Sequence, residues 1–270
     1  MVQMVHDGRW IGDVCEQLAK LQPGLMLDIG AAAGFMTRRM LKHSPDSRVI
    51  AFEPFPGNIP YFQEIVGSDD RVTLIQAAVC DRNGRASFHV KSTVPEDATG
   101  PWAKVPGYSL VGQLEEVASA PEQAQMFEVD TVSVDEIIGD EAVLFCKMDV
   151  QGAALQVLRG ASRALSEGRV GLLLIEFQGD ARVFELLQGF ELFDSEYWLI
   201  KRPRGESHIS AWEVAGEQVL STGRNTLRGW PLRPDRENYP EWFRSEKKKM
   251  VNLWTDLIAS RPDLVATIRA

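Results

Sequence analysis

Cysteine and positive charge are scarce in this chain, and each shortage removes a class of function. Cys15, Cys80 and Cys146 are odd in number, far apart and without paired spacing, which argues against a disulfide framework or a cysteine-built zinc site. Two of them lie in apolar strand-like runs and read as buried free thiols. Lysine and arginine total 29 against 38 acidic residues, a net charge of −9. Neutralising phosphates takes a basic surface, so no nucleic-acid partner is expected. No apolar run approaches the length of a membrane span, and Met1 to Gly8 lacks the basic and apolar regions of a signal peptide. The expectation is a cytoplasmic protein with no membrane partner. What is present, 44% hydrophobic and 25% charged residues over 270 positions, suits one α/β domain with additions ahead of two small domains.

The chain is organised around Leu25-Met26-Leu27-Asp28-Ile29-Gly30-Ala31-Ala32-Ala33-Gly34-Phe35-Met36-Thr37. An apolar run ends in Asp-x-Gly, passes three alanines to a second glycine, and continues as a helical pattern in Met36, Met40 and Leu41. This reads as strand, tight turn, helix, with small residues that let a ligand approach the backbone. Asp28 stands where a dinucleotide fingerprint has its first glycine, and no Gly-Lys-Ser/Thr follows, so a pyrophosphate is not the favoured ligand. An acid at this strand end suits a cationic amine, and Glu53, ending the next strand, suits ribose hydroxyls. Together they fit S-adenosylmethionine. The alternative is that Asp28 caps the turn and Glu53 is a solvated strand end.

Residues 9–21 carry Trp10, Ile11, Val14, Leu18 and Leu21 at helical spacing, so residues 1–23 read as an N-terminal helix. Residues 34–43 form a crossover helix, and a second helix runs from about Asn58 to Val66. Phe55 lies against an adenine ring or packs on the sheet. A third strand, Val72 to Ile75, runs on into Gln76 to Asp81, and Arg85 to Val90 alternates as an edge strand. Asp81 is either a turn residue or an acceptor for the adenine amino group. From Lys91 to Gln125 periodicity fails, apart from a helical look at Leu114 to Ala118; this is a substrate lid or a surface insertion. The pattern resumes at Phe127–Asp135 as a strand and then a short acidic-capped helix; an apolar strand at Ala142–Asp149 and a third such run at Gly171–Gly179 follow, with a helix at Val183–Leu187 and a closing strand at Tyr197–Ile200. Acids at several strand ends converge on one edge, where an open parallel sheet binds ligands. Residues 201–270 form a C-terminal extension, with Trp242, Trp254, Leu257 and Ile258 on an apolar helical face over 238–268. That extension either caps the substrate site or forms a homo-oligomer interface through its helices. Lys247 to Lys249 reads as a solvated face or a docking site for an acidic partner.

The chain resembles the FkbM family of S-adenosylmethionine-dependent methyltransferases. The matching pieces are Leu27 to Thr37, Ala51-Phe52-Glu53-Pro54, Ala77-Ala78-Val79 to Asp81-x-x-Gly84, Val134-Asp135-Glu136, and Lys147-Met148-Asp149-Val150-Gln151-Gly152 with Val157 to Ala161. Together they span about residues 24–200, taken as the cofactor-binding domain. The resemblance implies a doubly wound (Rossmann-like), seven-stranded methyltransferase sheet acting on a hydroxyl of a small-molecule acceptor, a sugar or secondary metabolite. It assigns Asp28, Gly30 and Gly34 to the methionine end of the cofactor, with Ala31 and Phe35 in the same turn. Glu53 and Pro54 go to the ribose, and Ala78 and Asp81 to the adenine side. An alcohol needs a base, and the strand-end candidates are Asp149 and Glu176, with His89 and His208 less well placed. Asp149 is the choice; it also stands where it can orient the cofactor or cap the following helix. The carboxylates lack a ligand spacing, so no metal is assigned. The family usually has Gly-Ala-Glu where this chain has Gly152-Ala153-Ala154, and Ala154 leans toward a non-catalytic cofactor-binding subunit. An N-methyltransferase acting on a small amine or peptide is the other alternative.

Overall fold

The computed structural model describes Cys15, Leu18 and residues 22–93, 109–114, 125–177, 182–194 and 255–264. In chain order the elements are β1 (Leu25–Ile29), α1 (Phe35–His43), β2 (Arg48–Phe52), α2 (Ile59–Val66), β3 (Val72–Ile75), β4 (Ala78–Val79), β5 (Gly84–Thr93), β6 (Ser109–Leu114), β7 (Gln125–Val132), α3 (Val134–Ile138), β8 (Val143–Met148), α4 (Ala154–Gly160), α5 (Ser162–Ser166), β9 (Val170–Phe177), α6 (Val183–Leu186), β10 (Glu191–Asp194) and β11 (Thr255–Ser260).

The main sheet runs β10-β11-β9-β8-β1-β2-β3. Its five central and flanking strands β9, β8, β1, β2 and β3 are parallel, and β11 is antiparallel to both its neighbours. Every residue of β1 and β8 is buried, which explains why both read as apolar runs rather than alternating ones, each interrupted by a single charge, Asp28 in β1 and Lys147 in β8. Strand order reverses between β1 and β8. A crevice opens at such a point, because the connections from the two strands leave toward opposite sides. Helix α1 buries Met40 and Leu41 in the core. Cys15 and Leu18 are helical and fully buried, and the rest of the expected N-terminal helix lies outside the described residues.

A second sheet, ordered β4-β7-β5-β6, corrects three expectations. The run from Val72 to Asp81 is not one strand. It breaks at Gln76–Ala77, where the Ala77 amide turns back to the Ile75 carbonyl at 3.0 Å, and the Cys80 amide bonds Val132 instead at 2.9 Å. Strand β5 is not an edge: it lies between β7 and β6, antiparallel to both. The stretch 91–125 is not a continuous loop either. Residues 91–93 finish β5 and Ser109–Leu114 is a strand, so Leu114 ends a strand rather than starting a helix; residues 94–108 and 115–124 lie outside the described residues. The second sheet has its own core of Phe55, Phe88, Val90, Leu114 and Val129. Phe55 packs edge-on against Phe127 with ring centroids 5.1 Å apart, the packing alternative of the two open for it.

The C-terminal expectation also changes. Leu257 and Ile258 were expected on a helix, but they lie fully buried in β11, which extends the main sheet alongside β9. A short apolar run fits a buried strand as well as a helix face, so periodicity alone could not decide. Buried in the sheet, these two side chains are not available for a helical subunit interface. Residues 195–200, where a closing strand was expected, lie outside the described residues, as do Trp242 and Trp254.

Candidate active site

The end of β1 and the end of β8 are locked together. The Gly30 amide donates to the Phe52 carbonyl at 3.0 Å and the Asp149 amide to the Ile29 carbonyl at 3.0 Å. Gly30 has φ +75, and a Cβ there would sit 1.9 Å from the Asp149 carbonyl oxygen, so only glycine closes this turn. Beneath it, Lys147 and Asp28 face each other in register on adjacent strands. The Lys147 ammonium donates to the Gly30 carbonyl at 2.8 Å, pairs with Asp28 Oδ1 at 3.2 Å and lies 3.7 Å from Asp149 Oδ2. Thr37 donates to the other Asp28 oxygen at 2.6 Å. One buried cation thus braces the turn from below, and removing either partner of such a pair costs about 3–5 kcal/mol.

Glu53 follows β2 and is 4% exposed. Its Oε1 accepts from the Phe55 amide (2.9 Å) and Asn58 Nδ2 (3.2 Å), and its Oε2 from the Ala32 amide (2.8 Å). Burial pushes its carboxyl up to about 7, against the pull of the Phe55 and Ala32 amides, Asn58 and the Lys147 ammonium. Each carboxylate oxygen has two acceptor sites, so Oε2 keeps one for a ligand. The Cys80 and Cys146 thiols are both raised by burial, which keeps them protonated and inert as nucleophiles.

An open cleft of about 160 Å³ lies at the point where strand order reverses. Of the sequence-predicted site residues, Gly30, Glu53, Pro54, Ala78 and Asp149 line it. Phe88 and Leu114 of the second sheet wall its far side. Asp28, Ala31, Gly34, Phe35, Asp81 and Glu176 are not in its lining. Asp28 is fully buried under the turn, and Ala31 packs with Ala51 and Phe62. Gly34, at φ +83, makes room for Phe62 and Val66 of α2. Phe35 is 59% exposed at the start of α1. Asp81 pairs with Arg82 at 3.1 Å in the turn after β4. His89 is buried within β5, and His208 lies outside the described residues.

A family model described as the methyltransferase FkbM domain matches residues 28–197, more than half of the chain. The chain belongs to this family. It is 29% identical over 154 residues to the 2-O-methyltransferase NoeI of Sinorhizobium fredii, which covers 54% of this chain and 60% of that protein. It is 27% identical over 176 residues to methyltransferase 1 of Beauveria bassiana, covering 59% of this chain and 67% of that one. The crystal structure of methyltransferase FkbM from Methylobacillus flagellatus KT aligns with a TM-score of 0.38 and 22% identity, over 57% of this chain and 32% of that chain. The chain thus spans 60% of the length of NoeI and 32% of this solved FkbM structure.

Within this FkbM domain, sequence reasoning overlooked Gln151, Gln113 and the anchoring role of Lys147. Gln151 lines the cleft with a left-handed backbone, φ +50, a conformation costing a non-glycine residue roughly 1–2 kcal/mol. Its amide N–H donates to Glu176 Oε2 at 2.9 Å, and Gln113 holds its carbonyl at 2.8 Å. Its side-chain Nε2 reaches both Glu176 Oε1 (3.0 Å) and Asp149 Oδ1 (3.1 Å). The signal for Lys147 was in the sequence: a lysine inside an all-apolar strand must find a buried partner. Nothing in local pattern marked Gln151. Ala154, at the family's usual glutamate position, is buried at the start of α4. The cleft fits an adenosine in kind: a buried carboxylate with a spare acceptor site suits a ribose diol, beside an apolar wall of Ala78, Val79 and Phe88.

Proposed function

We propose that the protein methylates a hydroxyl of a small molecule, a sugar or secondary metabolite, with S-adenosylmethionine as donor. The observation that carries this reading is that Glu53 and Asp149 line one cleft, on either side of the Gly30 turn. The likeness to NoeI, a 2-O-methyltransferase, supports a hydroxyl as the acceptor. When bound, the cofactor supplies a methyl carbon on a positive sulfur, and the C–S electron pair stays on sulfur as the new C–O bond forms.

The chain's own residues have three tasks. Glu53 accepts hydrogen bonds from the ribose. The Gly30 turn and the apolar wall fix the donor against the acceptor and exclude water. Asp149, with a side chain 49% exposed, takes the proton from the attacking hydroxyl at a carboxylate oxygen. Glu176 is less suited to that task, because it is 6% exposed and both of its oxygens are engaged by Gln151.

Calorimetric titration with S-adenosylmethionine and S-adenosylhomocysteine tests the cofactor. Micromolar binding is expected for the wild type and its loss for Glu53→Ala. No binding by the wild type would sink the methyltransferase reading. Asp149→Asn should keep S-adenosylhomocysteine binding and lose transfer by about a hundredfold or more; a loss below about tenfold would remove Asp149 as the base.

A further inference from the structure

The side-chain amide of Gln151 is oriented without ambiguity. Its two nearest partners, Asp149 Oδ1 at 3.1 Å and Glu176 Oε1 at 3.0 Å, are carboxylate oxygens that accept and do not donate. Both N–H bonds of Nε2 are therefore spent on them. The backbone around the side chain is equally fixed, by Glu176 at the amide and by Gln113 at the carbonyl. That leaves one uncommitted polar atom in a residue that lines the cleft: the amide oxygen Oε1, an acceptor with two lone pairs.

We propose that Gln151 Oε1 accepts a hydrogen bond from a second hydroxyl of the acceptor, adjacent to the one that Asp149 deprotonates, so that the site selects a vicinal diol. Because Nε2 touches the Asp149 carboxylate, Oε1 stands one amide group away from it. Two hydroxyls on neighbouring carbons can bridge that separation, one on each acceptor. Gln151 is then a positioning and specificity residue twice over: it holds the carboxylate of the base, and it registers the sugar against it. A monohydroxy acceptor leaves Oε1 without a donor and is held by one contact, free to rotate away from the methyl group. The inference rests on the methyltransferase reading above and names its substrate class.

The test measures transfer of labelled methyl from S-adenosylmethionine to a panel of methyl hexopyranosides, each paired with its monodeoxy analogues, for the wild type and for Gln151→Met and Gln151→Glu. S-adenosylhomocysteine binding by each protein serves as the check on folding and on the cofactor site. The wild type is expected to favour the diol over the matched deoxy sugar by about tenfold or more in kcat/KM. Gln151→Met should reduce that ratio to near parity. Gln151→Glu, which keeps an acceptor oxygen but sets a third carboxylate beside two others, should also shift the pH profile of transfer upward by raising the pKa of the base. Equal use of diol and deoxy sugar by the wild type overturns the proposal, as does an unchanged ratio in Gln151→Met. Transfer to no vicinal diol while S-adenosylhomocysteine still binds overturns it and leaves the cofactor reading intact; failure of S-adenosylhomocysteine to bind removes the functional reading and this inference with it.

Discussion

Under the proposed function, Glu53 is the residue where electrostatics and ligand binding pull against each other. Its carboxyl titrates near 7 in the folded protein against about 4.5 in an unfolded chain. Between those values the folded state holds a proton that the unfolded state has released. The stability this supplies is complete below about pH 4.5 and disappears as pH rises through about 7. Ribose hydroxyls donate, so they prefer the ionised carboxylate, and ligand affinity runs the opposite way. Affinity for S-adenosylhomocysteine is expected to strengthen about tenfold from roughly pH 6 to roughly pH 8, as the ionised fraction of a group titrating near 7 rises. Calorimetry across that range checks it, with a flat profile expected for Glu53→Gln; equal wild-type affinity at both ends would mean that Glu53 is not the ribose acceptor. At this scale the sequence was legible where a charge interrupts an apolar strand end, as at Glu53 and Asp149. At Asp28 the sequence showed the acid at the strand end but not its partners, Lys147 and Thr37, which come from elements distant in the chain or beyond the turn.

At the level of elements, legibility followed the length of the apolar run and the distance to its partner. Strands β1, β2, β8 and β9 were readable because strands buried on both faces are continuous in Val, Ile, Leu and Phe. The split between β3 and β4 was not, since neither glycine nor proline marks Gln76–Ala77 and the partners of β4 lie about fifty residues on, in β7. Strand β6 has Gly112 and Gln113 in its middle; the glycine is there because a Cβ would fall 2.3 Å from the Phe88 ring. Strand β11 pairs with β9 and β10 across a long stretch of sequence, Ile258 lying opposite Leu174, and its central residues Leu257, Ile258 and Ala259 have no exposed surface. Ile258→Ala should therefore destabilise by about 2–5 kcal/mol, as deletion of a core aliphatic side chain does. Urea denaturation followed by circular dichroism measures this. A cost below about 1 kcal/mol would fit a surface helix and contradict the strand.

For the molecule as a whole, the cleft is a seam between two sheets with separate cores. The parallel sheet contributes the Gly30 turn, Glu53 and Asp149; the smaller sheet contributes Phe88, Gly112 and Leu114. Gln113 ties the two together by donating to the Gln151 carbonyl at 2.8 Å, across the mouth of the site. A ligand with a polar ribose and an apolar purine face would therefore touch both sheets at once, and its binding energy would be shared between them. Binding to the folded state alone stabilises it by RT ln(1 + [L]/Kd), about 2.7 kcal/mol at a hundredfold excess over Kd. Hydrogen exchange with and without S-adenosylhomocysteine shows where that stabilisation is delivered. Slower exchange is expected both in peptides covering β1 and β2 and in peptides covering β5 and β6. Protection confined to the parallel sheet would mean that Phe88 and Leu114 do not contact the ligand, and the purine would have to be sought on the other side of the Gly30 turn.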